Sequence, residues 1–304
     1  MNLFTIPTTY CILRELPTTA SSEKPQSMRT KVYEVVDSET QETYFFKHSL
    51  ATDHTLCIEG KEVKIGLNIA KELLAMAYAK AIDVNVCDFK FAYHPILDKY
   101  GILTRKHHSD ARPLMDIIDK VSKRTGNINS YEYQVALADE LEKVSPKALL
   151  DLYKMHVCDI LTFDADRHEN NILFKDSTYT DIYPYFDCDY AFNNSCNVNL
   201  GKITIEMLIL YNMKEFRVLN IIYCLSRLLD PNCDVNYSKE DLYIQVPDKD
   251  SINSIISTLN LQNLYTDLGN YLHYIVVDMN KFISSIPTDD YDAAMQKLMR
   301  FVPQ

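Results

Sequence analysis

Between residues 164 and 192 the chain reads Asp-Ala-Asp-Arg-His-Glu-Asn-Asn-Ile-Leu-Phe, a polar turn, and then Asp-Ile-Tyr-Pro-Tyr-Phe-Asp-Cys-Asp-Tyr-Ala-Phe. This is a polar loop, an apolar strand, a turn, a second strand and a second acidic loop. Three of its side chains suit phosphoryl transfer. Asp166 can orient an acceptor hydroxyl, while the Asn171 carboxamide and, beyond the hairpin, the Asp187 carboxylate are the hard oxygen donors that hold magnesium on nucleotide phosphates. The spacing from Asp166 to Asn171 matches the D-x-x-x-x-N of a kinase catalytic loop, and its context, directly after a long helix and before a strand, matches as well. Asp164 competes for the role of Asp166, and only the spacing to Asn171 favours the latter. Asp189 either shares the metal or faces water.

Two more residues complete the constellation. Lys47 follows Tyr-Phe-Phe in a strand over 43–48, and strand alternation puts it on the face of Phe45, opposite Phe46. A lysine among aromatics can simply snorkel outward; the alternative is contact with the α- and β-phosphates, the ammonium being placed by a helical glutamate. Glu72 is the candidate partner, because it falls within the inward stripe of Ile69, Leu73, Met76, Ala77 and Lys80 on a helix over 68–82, and a carboxylate there needs a cation. Glu59 and Glu62, ahead of the helix, are weaker candidates, and Lys71 points elsewhere. In the polar loop Arg167 suits pinning the loop to a neighbouring carboxylate or phosphate. The ordinary role of His168 is that of a hydrogen-bonded structural histidine, with direct participation beside Asp166 as the alternative.

Residues 1–104 alternate strand signals over 10–13, 31–36, 43–48, 88–93 and 101–104 with turns, and carry one helix. From about 110 the pattern is helical, over 112–122, 131–141, 146–162, 203–210, 215–229, 251–259, 264–286 and 291–301, interrupted by the strand-turn-strand of 171–187. Ser145-Pro146 is a helix start, with the hydroxyl at the cap and proline in the first turn. The expected fold class is therefore α+β: a two-lobed protein-kinase-like fold with a β-rich N-terminal nucleotide-binding lobe, residues 1–104, and a helical C-terminal catalytic lobe, residues 105–304, carrying an inserted hairpin.

Composition narrows the function further. The 304 residues are 47% apolar and 24% charged, a globular balance. A net charge of -11 argues against a general nucleic-acid binder; the one basic cluster, Arg105-Lys106-His107-His108, suits a strand end or interlobe linker. With six glycines the chain has no Gly-rich phosphate cradle, which counts against P-loop and Rossmann folds. The eight cysteines show no Cys-x-x-Cys pairing and read as reduced, packed thiols. Neither a signal peptide nor a membrane span is evident. The expectation is a cytoplasmic protein, or a secreted effector acting in a host cytosol.

Taken together, Asp166-Arg167-His168-Glu169-Asn170-Asn171 resembles the D-x-H-x-x-N catalytic loop of the HipA-like serine/threonine kinases, and Pro184-Tyr185-Phe186-Asp187 resembles their metal segment. Gln26-Ser-Met-Arg-Thr-Lys31 lies where that family has its phosphate loop, Phe46-Lys47 resembles its lysine strand, and Glu72-x-x-Ala75-x-x-Tyr78 its helix. The likeness runs patchily over residues 26–192. It implies ATP- and magnesium-dependent phosphorylation of Ser or Thr on a protein substrate, with Asp166 and His168 catalytic, Lys47 and Glu72 on ATP, and Asn171 and Asp187 on the metal. It also implies autophosphorylation in the segment 18–30, at Ser21, Ser22 or Ser27. The phosphate-loop segment departs from the family in having no glycine, and Asp187 is not followed by one. Asp-Arg-His-x-x-Asn also resembles the loop of phosphoinositide kinases, so a lipid kinase is the runner-up, with a nucleotide-binding pseudokinase acting as an interaction module beside it.

Overall fold

The computed structural model describes residues 10–17, 29–58, 60–106, 110–125, 130–164, 166–188, 190–192, 199–215, 219–233, 235, 237–265 and 267–302. Ser21, Ser22, Ser27, Glu59, Asp189 and the His107-His108 pair lie outside the described residues.

The N-terminal lobe is a five-stranded antiparallel sheet in the order β1-β2-β3-β7-β6. Its strands are β1 (Tyr10–Leu16), β2 (Thr30–Asp37), β3 (Thr43–Ser49), β6 (Phe89–His94) and β7 (Lys99–Arg105). Alternation splits β3 as the pleat requires. Tyr44 and Phe46 are buried with Tyr10, Tyr33, Val35, Ala92 and Leu103 on one face, leaving Phe45 and Lys47 on the other. A two-stranded hairpin, β4 (His54–Ile58) with β5 (Lys61–Ile65), follows β3. It was not expected from the sequence. Leu56, Ile58, Val63 and Ile65 point into the main core while Glu62 faces solvent, which removes Glu62 as a partner for Lys47.

After the hairpin comes α1 (Leu67–Ala81), in which every residue from Asn68 to Ala79 is buried. Its entry depends on Gly66, where an added Cβ would come within 2.2 Å of Ser49 Oγ at the end of β3. The second such close approach is at Gly101 on β7. A Cβ there would lie 2.1 Å from the Lys47 carbonyl oxygen, so glycine lets β7 pass directly beneath the lysine.

The C-terminal lobe contains α2 (Met115–Thr125), α3 (Tyr131–Val144), α4 (Pro146–Thr162), α5 (Ile205–Glu215), α6 (Ile221–Leu228), α7 (Lys239–Leu242), α8 (Lys249–Thr258), α9 (Leu268–Ser284) and α10 (Tyr291–Leu298). Ser145 caps α4 by accepting the Ala148 amide at 3.2 Å with Pro146 in the first turn, and Phe163 ends the helix in the left-handed region, φ 56°. Two local expectations change. The helix expected from residue 112 starts at Met115, because β8 (Arg112–Pro113) pairs with β9 (Leu173–Phe174) instead. The expected hairpin is reduced as well: Ile182 makes a single bridge to Phe174, and Tyr185 bridges in parallel to Val86 of the N-terminal lobe. The fold is two-lobed and α+β, as the sequence led us to expect. Among the described residues no helix is long and apolar enough to cross a membrane, and the seven described cysteines are all free thiols.

Candidate active site

The polar loop is built by its own backbone. Asp164, only 2% exposed, accepts the Asp166 amide on Oδ1 at 3.1 Å, and the Asp166 carbonyl accepts from Asn171 Nδ2 at 3.2 Å. His168 caps the short 3-10 turn Glu169–Asn171, its Nδ1 accepting the Asn170 amide at 3.2 Å. Asp164 is thus used as the loop's internal brace, whereas Asp166 is partly exposed. Once the Asn171 amine is committed to Asp166, its carboxamide oxygen is left as the acceptor end.

Arg167 turns inward from the same loop and is 2% exposed. Its Nε lies 3.1 Å from Asp159 Oδ2 and its Nη2 3.1 Å from Asp159 Oδ1, on α4. Its Nη1 donates to the Phe186 carbonyl at 2.7 Å, and its guanidinium lies 4.4 Å from the centre of the Tyr185 ring. Tyr185 in turn donates to Asp159 Oδ1 at 2.7 Å. Burial disfavours the guanidinium charge, but the Asp159 carboxylate outweighs it and Arg167 stays protonated. One arginine therefore clips the Asp166 loop to the backbone immediately before Asp187. Asp159 went unread in the sequence, although a carboxylate inside the apolar run 155–161 is the same signal that singled out Glu72.

The segment leading to Asp187 is also held from the other lobe. The Tyr185 amide donates to the Asn85 carbonyl at 2.7 Å, and the Cys87 amide to the Tyr185 carbonyl at 3.1 Å. Asp187 then adopts φ 57°, a left-handed conformation that aspartate tolerates better than most residues. From there its Oδ1 meets Lys47 Nζ at 2.6 Å, and the same ammonium lies 3.0 Å from Glu72 Oε2 and 3.2 Å from Oε1. Glu72 Oε1 also accepts the Cys188 amide at 3.4 Å. The strand lysine and helix glutamate expected to pair do meet, and Asp187 joins them. Burial would raise the Asp187 carboxyl, but Lys47 foremost, then Arg167 and His168, hold it below the usual carboxylate range.

Lys47, Glu72 and Asp187 are in direct contact, and Asp166, His168 and Asn171 share the loop that Arg167 ties to Phe186. Among the described residues no group of three or more His, Cys, Asp or Glu is gathered to hold a metal ion. The donor set present, one carboxamide and one carboxylate oxygen, fits magnesium, which takes one or two carboxylates, waters and substrate phosphates and needs no full protein cage.

No protein-family model matches the chain, and no curated protein matches its sequence. Among solved structures, it is similar to a Helicobacter pylori proinflammatory kinase, CtkA, at 14% identity over 89% of this chain and 91% of that one, with a TM-score of 0.47. It is also similar to the Drosophila melanogaster PAN3 pseudokinase, at 13% identity over 93% of this chain and 65% of that one, with a TM-score of 0.33.

Proposed function

We propose that this protein is an ATP- and magnesium-dependent protein kinase of the HipA-like kind, transferring the γ-phosphoryl group to Ser or Thr hydroxyls. The observation that carries the reading is Lys47 held between Glu72 and Asp187, at 3.0 and 2.6 Å, beside a loop bearing Asp166 and Asn171. Lysine, helical glutamate, metal-binding acid and loop aspartate are the parts that phosphoryl transfer requires in place together.

In this reading Glu72 keeps Lys47 extended into the cleft, where its ammonium binds the α- and β-phosphates. Asn171 and Asp187 hold magnesium, which neutralises charge on the phosphates. Asp166 accepts the hydrogen bond of the acceptor hydroxyl and takes its proton as the oxygen attacks. Asp164 is not the base, because it is buried and engaged with the Asp166 amide. His168 accepts the Asn170 amide on Nδ1 and so helps hold the loop that carries Asn171.

Incubation with γ-labelled ATP, magnesium and mixed protein and inositol-lipid acceptors tests this. Label is expected in protein, falling about 100-fold or more in Asp166→Asn, the usual worth of a positioned acid-base group, with ATP affinity retained. Label in lipid would select a lipid kinase. Tight ATP binding without transfer would select an interaction module.

A further inference from the structure

We infer that the C-terminal helices form a built-in brace that holds α1 in register, with Lys71 and Tyr265 as positioning residues for the Lys47–Glu72 pair. The inference rests on the kinase reading, in which that pair must be formed for phosphoryl transfer.

It starts from the burial of α1. A helix packed on a small sheet shows one apolar face and one wet face, whereas a helix buried all round has a second partner. From Asn68 to Ala79 no residue of α1 is exposed. The sheet covers one side. On the other, Tyr78 donates to the Leu272 carbonyl of α9 at 2.9 Å. The β4–β5 hairpin beside α1 is stitched to the end of α8, with His54 Nε2 2.7 Å from the Leu259 carbonyl and Asn260 Nδ2 donating to the Thr55 carbonyl at 2.9 Å.

The link to the site runs through two consecutive residues. Side chains one apart on a helix point about 100° from each other, so while Glu72 reaches forward to Lys47, Lys71 reaches away. Its ammonium, on a residue only 6% exposed, donates to the Phe192 carbonyl at 3.5 Å and lies 5.8 Å from the centre of the Tyr265 ring. Tyr265 donates to the same carbonyl at 3.0 Å, and the Phe192 amide is fixed to the Thr162 carbonyl of α4 at 2.6 Å. The chain after Asp187 is therefore bonded to α1 at Cys188 through Glu72 and at Phe192 through Lys71. One helical step is 1.5 Å, so a slide of α1 by a single residue would carry Glu72 out of hydrogen-bond reach of Lys47. Sinking an ammonium this deep is costly for packing alone, since methionine fills the same space without desolvating a charge. Holding helix and loop in one register gives it a purpose.

The test compares Lys71→Met, Tyr265→Phe and Lys71→Arg with wild type. A purely structural lysine predicts that Lys71→Met leaves ATP affinity unchanged and keeps or raises the urea midpoint. The brace predicts about a tenfold rise in the KM for ATP, or a comparable fall in kcat, in Lys71→Met and Tyr265→Phe, without a matching loss of midpoint, and recovery in Lys71→Arg. Hydrogen exchange of the α1 amides, measured without nucleotide, should quicken about tenfold in the first two variants while α4 keeps its protection, since local opening is what exchange reports. Unchanged α1 exchange in both variants overturns the brace, whether or not the wild type binds ATP. A wild type that binds no ATP overturns the kinase reading alone, and α1 exchange then decides the brace.

Discussion

Arg167→Met removes the centre of the buried network between the two acidic loops. Both Arg167 and Asp159 have side chains 0% exposed, in contact at 3.1 Å. Taking away one partner of such a pair costs roughly 3–5 kcal/mol, because the other charge stays buried without its counter-ion. The Tyr185 hydroxyl, 2.7 Å from Asp159 Oδ1, offsets part of this, while the Phe186 carbonyl loses its 2.7 Å donor, worth about 1 kcal/mol. The net expectation is a loss of about 4 kcal/mol. Urea unfolding followed by circular dichroism measures it. Asp159→Leu should cost a similar amount, and the double variant Asp159→Leu/Arg167→Met should lose clearly less than the two singles together, with a coupling of about 2 kcal/mol or more. Because Arg167 also fixes the carbonyl preceding Asp187, ATP binding at saturating magnesium should weaken in Arg167→Met even where the protein is fully folded. A cost below about 1 kcal/mol, or strict additivity in the double variant, would refute the clip.

Two further outcomes follow from the same geometry. Asp187→Ala should abolish the magnesium dependence of ATP affinity in titration calorimetry, and an affinity that still rises with magnesium as in wild type removes Asp187 from the metal. His156, fully buried on α4, is pushed down to about 4 mainly by burial, with Arg167 adding to the effect and Asp159 opposing it; the unfolded chain takes up a proton near pH 6.5 that the folded chain refuses, so stability should fall by about 3 kcal/mol between pH 6.5 and 4, and His156→Gln should flatten that slope in urea midpoints.

The parts of this site legible in sequence were those carried by local period. Lys47 could be placed because β3 alternates cleanly, and Glu72 because it interrupts an apolar helical stripe. What escaped depends on partners far along the chain. Residues 182–186 looked like the return strand of a hairpin, but Tyr185 takes its backbone partners from Asn85 and Cys87 in the other lobe, and nothing near residue 182 announces that. The β4–β5 hairpin was readable in principle, since Leu56, Ile58, Val63 and Ile65 alternate around Gly60, whose φ of 78° makes the turn; the charges of Glu62 and Lys64 on the outer face disguised it. Pro113 is compatible with the first turn of a helix, so nothing local told the expected helix start at 112 from the pairing with β9 that the chain makes there. The last hundred residues gave a helical pattern without a role, because two of their contacts with the N-terminal lobe are made through backbone carbonyls, Leu259 to His54 of β4 and Leu272 to Tyr78 of α1, and a carbonyl leaves no mark in a sequence.

In the proposed kinase reading, the charges at the centre of the site give a reason for metal and nucleotide to bind together. One ammonium, Lys47, 12% exposed, is shared by two carboxylates, Glu72 and Asp187, and Asp166 lies on the loop that Arg167 binds to Phe186, the residue before Asp187. These four groups carry more negative than positive charge before any phosphate arrives, and that excess would repel a triphosphate. Arg167 lowers the Asp187 carboxyl from behind, but its guanidinium is paired with Asp159. In the proposed reading a divalent cation held by Asn171 and Asp187 would cancel that excess and would release Lys47 from its 2.6 Å contact with Asp187, while Glu72 keeps the ammonium in place. Lys47 would then exchange a carboxylate for a phosphate without leaving its place between β3 and α1, and on that reading what the fold must hold rigid is Glu72 and the helix that carries it.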